Sequence, residues 1–261
     1  MSSRKWPGVH RRRLLVACLL ALGRSGAKAD VISVSAGLDT ISSVISAGIK
    51  SGDTLELADG NYTSDQNFFA EFKSDTCEGS VCAGVTIRAA NRGKAILDGR
   101  WRGSGKGIRC REGVLTVDGL VLERFSSQAT KLDKGEITLT HMEYRDLYGS
   151  AAIKHEGGTM TIRSSWFHHN NVGTDAVIRL DCDLDCVNDP TRAAPTVHIT
   201  DSHFHDNFGM CLKVATRVVA TIKRSIFERN AGYSAGERKR APNPRPRIRC
   251  LLLSLFRACE R

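Results

Sequence analysis

Apolar positions recur along this chain in short strand-like runs at a nearly fixed long interval. Five segments align without internal gaps: Thr116–Leu122, Thr138–Tyr144, Thr161–Phe167, His198–Phe204 and Thr221–Phe227. Val117, Leu139, Ile162, Ile199 and Ile222 form one apolar column; Leu122, Tyr144, Phe167, Phe204 and Phe227 form a second. Successive copies are 22, 23, 37 and 23 residues apart. Self-similarity at such a period marks a solenoid, in which each unit buries its apolar side only by stacking on the next. The runs alternate in and out with a period of two, and no 3.6-residue periodicity runs through them. The expected unit is a coil of two or three short strands, with neighbouring coils about 4.8 Å apart.

Asn170, Asn207 and Asn230 each follow the second-column Phe by three residues. In stacked coils their amides can bond to one another along the axis. The interval of 37 holds 14 residues more than its successor. They are assigned to the acidic, Pro-bearing stretch from Asp181 to Pro195, as one loop grown out of one coil. Earlier coils are expected at Asp53–Tyr62, Val85–Arg88 and Ala95–Asp98. Between Ser35 and Ile49, Leu38, Ile41, Val44, Ile45 and Ile49 have helical spacing. A helix there would cover the open end of the first coil, which is otherwise an unpaired sheet edge. The fold class expected is all-β: a single-stranded right-handed parallel β-helix with an N-terminal capping helix.

The two ends differ from the body. Arg11, Arg12 and Arg13 precede an apolar run from Leu14 to Leu22, and Ala27-Lys28-Ala29 follows. This reads as a secretory signal over residues 1–29, since the run is shorter than the roughly 20 residues that span a bilayer. The β-helix domain is expected over residues 30–236. Residues 237–261 form a basic stretch rich in Pro and Arg, read as disordered or a short helix. Of the net charge of +10, residues 1–29 supply +7 and residues 237–261 supply +6, leaving −3 for the body. A mildly acidic body argues against nucleic acid as a partner. The chain is expected to be secreted and monomeric, without a transmembrane span.

Export also permits disulfides. Cys77 with Cys82, and Cys182 with Cys186, are spaced to close short loops; zinc is the alternative for such spacings. Cys110 and Cys211 lie in strand-like runs and read as buried thiols. Asn61-Tyr62-Thr63 is a glycosylation sequon.

Candidate chemistry falls on three features. Ile153-Lys154, Ile178-Arg179 and Leu212-Lys213 each place a base after an aliphatic residue. If the aliphatic residues point inward, Lys154, Arg179 and Lys213 point outward as a cationic ladder, matched to the repeating carboxylates of an acidic polysaccharide. Asp181, Asp183 and Asp185 alternate just beyond Arg179 and supply oxygen ligands suited to Ca²⁺. His168 and His205 align in successive coils, flanked by His169 and Asp206, as candidate substrate-binding groups. Each has a plainer alternative in a solvated polar surface.

Gly52–Leu57 with Asp59–Tyr62, and Val85–Arg88 with Gly93–Gly99, resemble opening coils of the pectin-lyase-like superfamily, over roughly residues 31–236. The Phe-x-x-Asn copies also resemble repeats of bacterial polymorphic outer-membrane adhesins, although the accompanying Gly-Gly-Ala-Ile-like segment is replaced here by Gly209–Leu212 and Thr174–Val177. The superfamily resemblance implies the parallel β-helix. It also implies, for its lyases, a surface Lys or Arg that removes the proton α to a uronate carboxylate, often with Ca²⁺ neutralising that carboxylate. Lys154, Arg179 and Lys213 are the positions onto which that role would fall. The function expected is binding or lyase-like processing of an acidic polysaccharide. The alternatives are a non-catalytic surface or adhesion solenoid binding a cell-surface partner, or a truncated inactive member.

Overall fold

The computed structural model describes residues 29–73, 76–77, 82–101, 106–182, 193–215 and 217–231. The segment read from sequence as a signal (but for Ala29), residues 237–261, Asp183, Asp185 and Cys186 lie outside the described residues. Each coil contributes one strand to each of up to three parallel sheets. Sheet A stacks β1 (Val31–Val34), β3 (Thr54–Leu57), β6 (Val85–Ala89), β9 (Val114–Asp118), β12 (Glu136–Thr140), β15 (Thr159–Arg163), β18 (Thr196–Thr200) and β21 (Val219–Lys223). Sheet B stacks β2 (Gly37–Leu38), β4 (Gly60–Thr63), β7 (Ala95–Asp98), β10 (Val121–Glu123), β13 (Glu143–Arg145), β16 (Trp166–His168), β19 (His203–His205) and β22 (Ile226–Glu228). Sheet C stacks β5 (Phe68–Phe72), β8 (Lys106–Cys110), β11 (Thr130–Leu132), β14 (Ile153–His155), β17 (Asn171–Leu180) and β20 (Phe208–Val214). Neighbours in space are one coil apart in sequence, so this is a parallel β-helix.

Both apolar columns run in register. Leu55, Ile87, Val117, Leu139, Ile162, Ile199 and Ile222 line the inside of sheet A. On sheet B, Tyr144, Phe167, Phe204 and Phe227 pile with ring centroids 4.8, 4.4 and 4.5 Å apart and planes within 6° of parallel. The coil spacing sets that separation, so each ring is packed by the ring beneath it.

The asparagine column is also formed. Asn170 Nδ2 donates to Asn207 Oδ1 at 2.9 Å, and Asn207 Nδ2 to Asn230 Oδ1 at 2.8 Å. Each amide also donates to the carbonyl of a preceding coil, at Tyr144, Phe167 and Phe204. His169, Asp206 and Arg229, just before these asparagines, take the left-handed conformation with φ of 55°, 52° and 49°. A non-glycine residue there costs about 1–2 kcal/mol. The corner turns the Asn side chain inward, where buried amide hydrogen bonds offset that cost.

Two details differ from expectation. The helix α1 spans Thr40–Ala47 and buries Ile41 and Ile45, but Leu38 belongs to exposed β2 and Ile49 bridges to Cys77. Gly48, with φ of 107°, ends the helix before Ile49. The 14-residue insertion is divided. Asn171 pairs with Phe208 and Ala176 with Met210, so three extra residues bulge within β17. The other eleven fall between Leu180 and Thr196, opposite Val214 and Val219.

Candidate functional site

Along sheet C, residues 108, 130, 153 and 178 and residues 110, 132, 155 and 180 are buried, so the residues between them face outward. Register places Glu71, Arg109, Lys131, Lys154, Arg179 and Lys213 in one row. The expected ladder of three cations is therefore five long, and Arg109 and Lys131 are the additions. Like charges one coil apart repel, and a second outward row answers them. Asp133, Glu156 and Asp181 stand two residues after Lys131, Lys154 and Arg179.

Lys131 Nζ lies 2.8 Å from both Asp133 and Glu156, and Lys154 Nζ lies 2.5 Å from Glu156. Arg109 reaches Asp133 at 2.5 Å and Glu71 at 3.3 Å. Arg179 reaches Asp181 at 2.7 Å and Asp175 at 3.4 Å. Burial opposes the Glu156 charge, but hydrogen bonds from Lys131 and Lys154 outweigh it and bring the pKa down to about 2. Lys213 is exposed and has no ion pair among the described residues. The row thus offers cations held in place by acids, with its unneutralised charge at the C-terminal end.

His155 lies beneath this row. It points into the core between Leu132 and Leu180 and is fully buried. Its Nε2–H donates to the Gly158 carbonyl at 3.2 Å, while Nδ1 has no partner. Burial pushes its pKa down to about 4. Cys110 is a buried free thiol in the same inward column, raised to about 12 chiefly by burial. Cys211 is buried as expected.

The histidines occupy a different face, the outside of sheet B. His168 and His205 pair in register and stack at 5.0 Å. His168 Nε2–H donates to Glu143 at 3.1 Å, and its Nδ1 lies 2.8 Å from His169 Nδ1. His205 donates to Asp206 at 2.8 Å, and His203 to Glu228 at 3.0 Å. The hydrogen bond from His168 holds the Glu143 carboxyl below its usual range; Arg229 first, then His205, does the same for Asp206. This cluster belongs to sheet B and the cation row to sheet C.

Asp181 follows β17 and is committed to Arg179, while Asp183 and Asp185 lie outside the described residues. No cluster of three metal-ligating side chains occurs among the described residues. Cys77 and Cys82 are joined; Cys182 is also disulfide-bonded, and its expected partner Cys186 lies outside the described residues. Asn61 is exposed on β4. No described helix is long and apolar enough to cross a membrane.

No protein-family model and no curated protein sequence matches the chain. Among solved structures, a PL6 family alginate lyase, AlyGC, superposes with a TM-score of 0.54 at 19% identity, over 76% of this chain. The match spans only 29% of that lyase's length. At this identity the likeness concerns architecture, and the chain shares the parallel β-helix fold of that alginate lyase.

Proposed function

We propose that this chain is an exported β-helix that binds an acidic polysaccharide along the outer face of sheet C. The observation that carries the reading is the in-register row Arg109, Lys131, Lys154, Arg179 and Lys213. Guanidinium groups bind carboxylates bidentately and lysines add point charges, so a periodic row suits a periodic polyanion. The Cys77–Cys82 disulfide supports an oxidising compartment.

Lyase chemistry is the second reading, favoured by Lys154 and Arg179 on adjacent strands and by the likeness to an alginate lyase. Neutral Lys154 would take the proton α to a uronate carboxylate that Arg179 holds. The C–H electron pair would form the new double bond as the glycosidic C–O bond breaks, and the leaving oxygen would take up a proton. Glu156, 2.5 Å from Lys154 Nζ, holds that nitrogen in an ion pair which a base role would have to break. Binding therefore leads this reading and elimination follows it. Asp181, Asp183 and Asp185 would be the Ca²⁺ ligands, and the ion would neutralise the same carboxylate. His168 and His205, on sheet B, would touch only a chain that wraps beyond sheet C.

The test is incubation with pectate, alginate and chondroitin, with and without Ca²⁺, following both retardation in affinity gels and unsaturated product by ultraviolet absorbance. Lys154→Ala is expected to weaken retardation about tenfold, the loss of one charge-assisted contact, while His168→Ala leaves it unchanged. Retardation that depends on His168 and not on Lys154 would move the site to sheet B.

A further inference from the structure

The passage from sheet B to sheet C is strained in one coil. Asp98 ends β7, and the chain then runs through Gly99, Arg100 and Trp101. Arg100 and Trp101 take the left-handed conformation, with φ of 52° and 56°. Among the described residues they are the only consecutive non-glycine pair to do so. That conformation is unfavourable for a residue with a Cβ, and such strain collects where ligands are contacted. Here the turn is braced from below. The buried Asp98 carboxylate accepts from the Arg100 backbone N–H at 2.9 Å and from Arg124 Nε at 2.9 Å. Arg100 Nη2 donates to the Thr63 hydroxyl at 2.6 Å. Gly99 lies flat on the next coil, where a Cβ would meet the Arg124 carbonyl oxygen at 2.7 Å.

The braced turn presents an aromatic ring. The Trp101 N–H donates to the Arg124 carbonyl at 2.8 Å, and the Tyr148 N–H, two coils on, donates to the Phe125 carbonyl at 3.0 Å. The two residues therefore flank one turn from opposite sides. Their rings meet across it edge to face, with centroids 6.3 Å apart, over a coil whose corner carries the small residues Ser126 and Ser127. Trp101 remains 49% exposed and Tyr148 57%, so the contact leaves about half of this aromatic surface in water. Trp166 is exposed too, but at a regular outward position of β16 that needs no special backbone. A polar run leads away from the pair: Ser127 bonds Gln128 at 3.1 Å, and Gln128 Nε2 donates to Ser150 at 3.2 Å. Gln128 and Ser150 stand just before β11 and β14, the strands of Lys131 and Lys154.

We propose that Trp101 and Tyr148 form a stacking ledge for a pyranose ring of the polysaccharide bound along sheet C. The C–H face of a pyranose is apolar, and laying it on the exposed rings removes apolar surface of both partners from water. The hydroxyls around the sugar's rim then meet Gln128 and Ser150, which both donate and accept. The ledge uses no ion pair, so its contribution is insensitive to salt, whereas that of the cation row is screened. The proposal rests on the polysaccharide reading of sheet C, and salt separates the two.

Isothermal titration of the full chain with oligogalacturonate at low and moderate salt tests both claims. Trp101→Ala is expected to weaken binding about tenfold, and by the same factor at both salt concentrations. Trp101→Phe, which keeps a ring, should lose less. Lys154→Ala should also weaken binding at low salt, by a factor that shrinks as salt is added. In a chain carrying Trp6→Phe and Trp166→Phe, Trp101 is the sole tryptophan, and its emission should move to shorter wavelength as oligogalacturonate saturates the protein. Wild-type affinity in Trp101→Ala, a loss that disappears at moderate salt, or emission that stays put at saturation would overturn the ledge; the row survives that result if Lys154→Ala still binds more weakly. Weakening by Trp101→Ala with none by Lys154→Ala supports the ledge and removes the row, and a wild type that binds at neither salt removes both. Tyr148→Ala, expected to lose about threefold, keeps the test decisive if Trp101→Ala fails to fold.

Discussion

The inside of sheet B and the outside of sheet C solve the same geometric problem in opposite ways. Both stack side chains at one coil spacing. Inside, Phe167, Phe204 and Phe227 repeat themselves, because a neutral ring packs well on its own copy. Outside, cations repeat too, but like charges cannot stack alone, and Asp133, Glu156 and Asp181 interleave with them. An interior column is stabilised by sameness. An exterior row is stabilised by alternation, and what it retains for a ligand is the donors its own acids leave unused.

The comparison is broken most severely from the inside. Phe204 is fully buried, with a ring above and a ring below. Phe204→Ala is expected to cost about 4 kcal/mol, the usual penalty for emptying a buried aromatic site. Urea unfolding should show a lower midpoint at unchanged slope. A loss under about 1 kcal/mol would mean that the column does not hold the coils together. Substituting Lys154 outside, by contrast, should alter binding far more than stability.

His155 sharpens the contrast because it is a titratable group on the inner side of the charged sheet. In the unfolded chain it takes a proton near 6.5; in the fold its pKa is about 4, because burial disfavours the imidazolium. Between those values the unfolded state binds more protons, so stability rises with pH. Its contribution is complete above about pH 6.5 and is lost as pH falls towards 4, by about 3 kcal/mol in all. His155→Leu packs between Leu132 and Leu180 and should flatten the stability profile across that window relative to wild type. Parallel profiles would show that His155 keeps its proton equilibrium on folding.

The interior was readable from sequence because it is repetitive: a column of Ile, Val and Leu and a column of aromatics recur at 22 or 23 residues, and register follows. The exterior row was half readable. Lys154, Arg179 and Lys213 each follow an aliphatic residue, as does Arg109 after Ile108, but Lys131 follows Thr130. That threonine occupies the inward column by bonding the Tyr144 hydroxyl at 2.8 Å, so a polar residue hides a core position. Glu156 shows its proximity to Lys154 in sequence, yet its bond to Lys131 exists only through coil register. The bulge in β17 was hidden for a similar reason, since three added residues leave the hydrophobic pattern on either side intact. His155 reads as one more polar residue until alternation from Lys154 turns it inward.

The smallest expected effect tests what the interleaved acids withhold from a ligand. Glu156→Gln removes the carboxylate shared by Lys131 and Lys154 but keeps its shape. These side chains are about four-fifths buried, yet the pairs border solvent, so the stability cost is expected to be about 1 kcal/mol. Lys154, freed of its ion pair, and Lys131, left with Asp133 alone, should bind a polyuronate more tightly, and the gain should shrink with added salt as screening sets in. Titration of the variant and wild type with oligogalacturonate at low and moderate salt reads this directly. If affinity falls instead, Glu156 is holding the lysines where the ligand needs them, and the outer row depends on its acids for geometry as much as for charge.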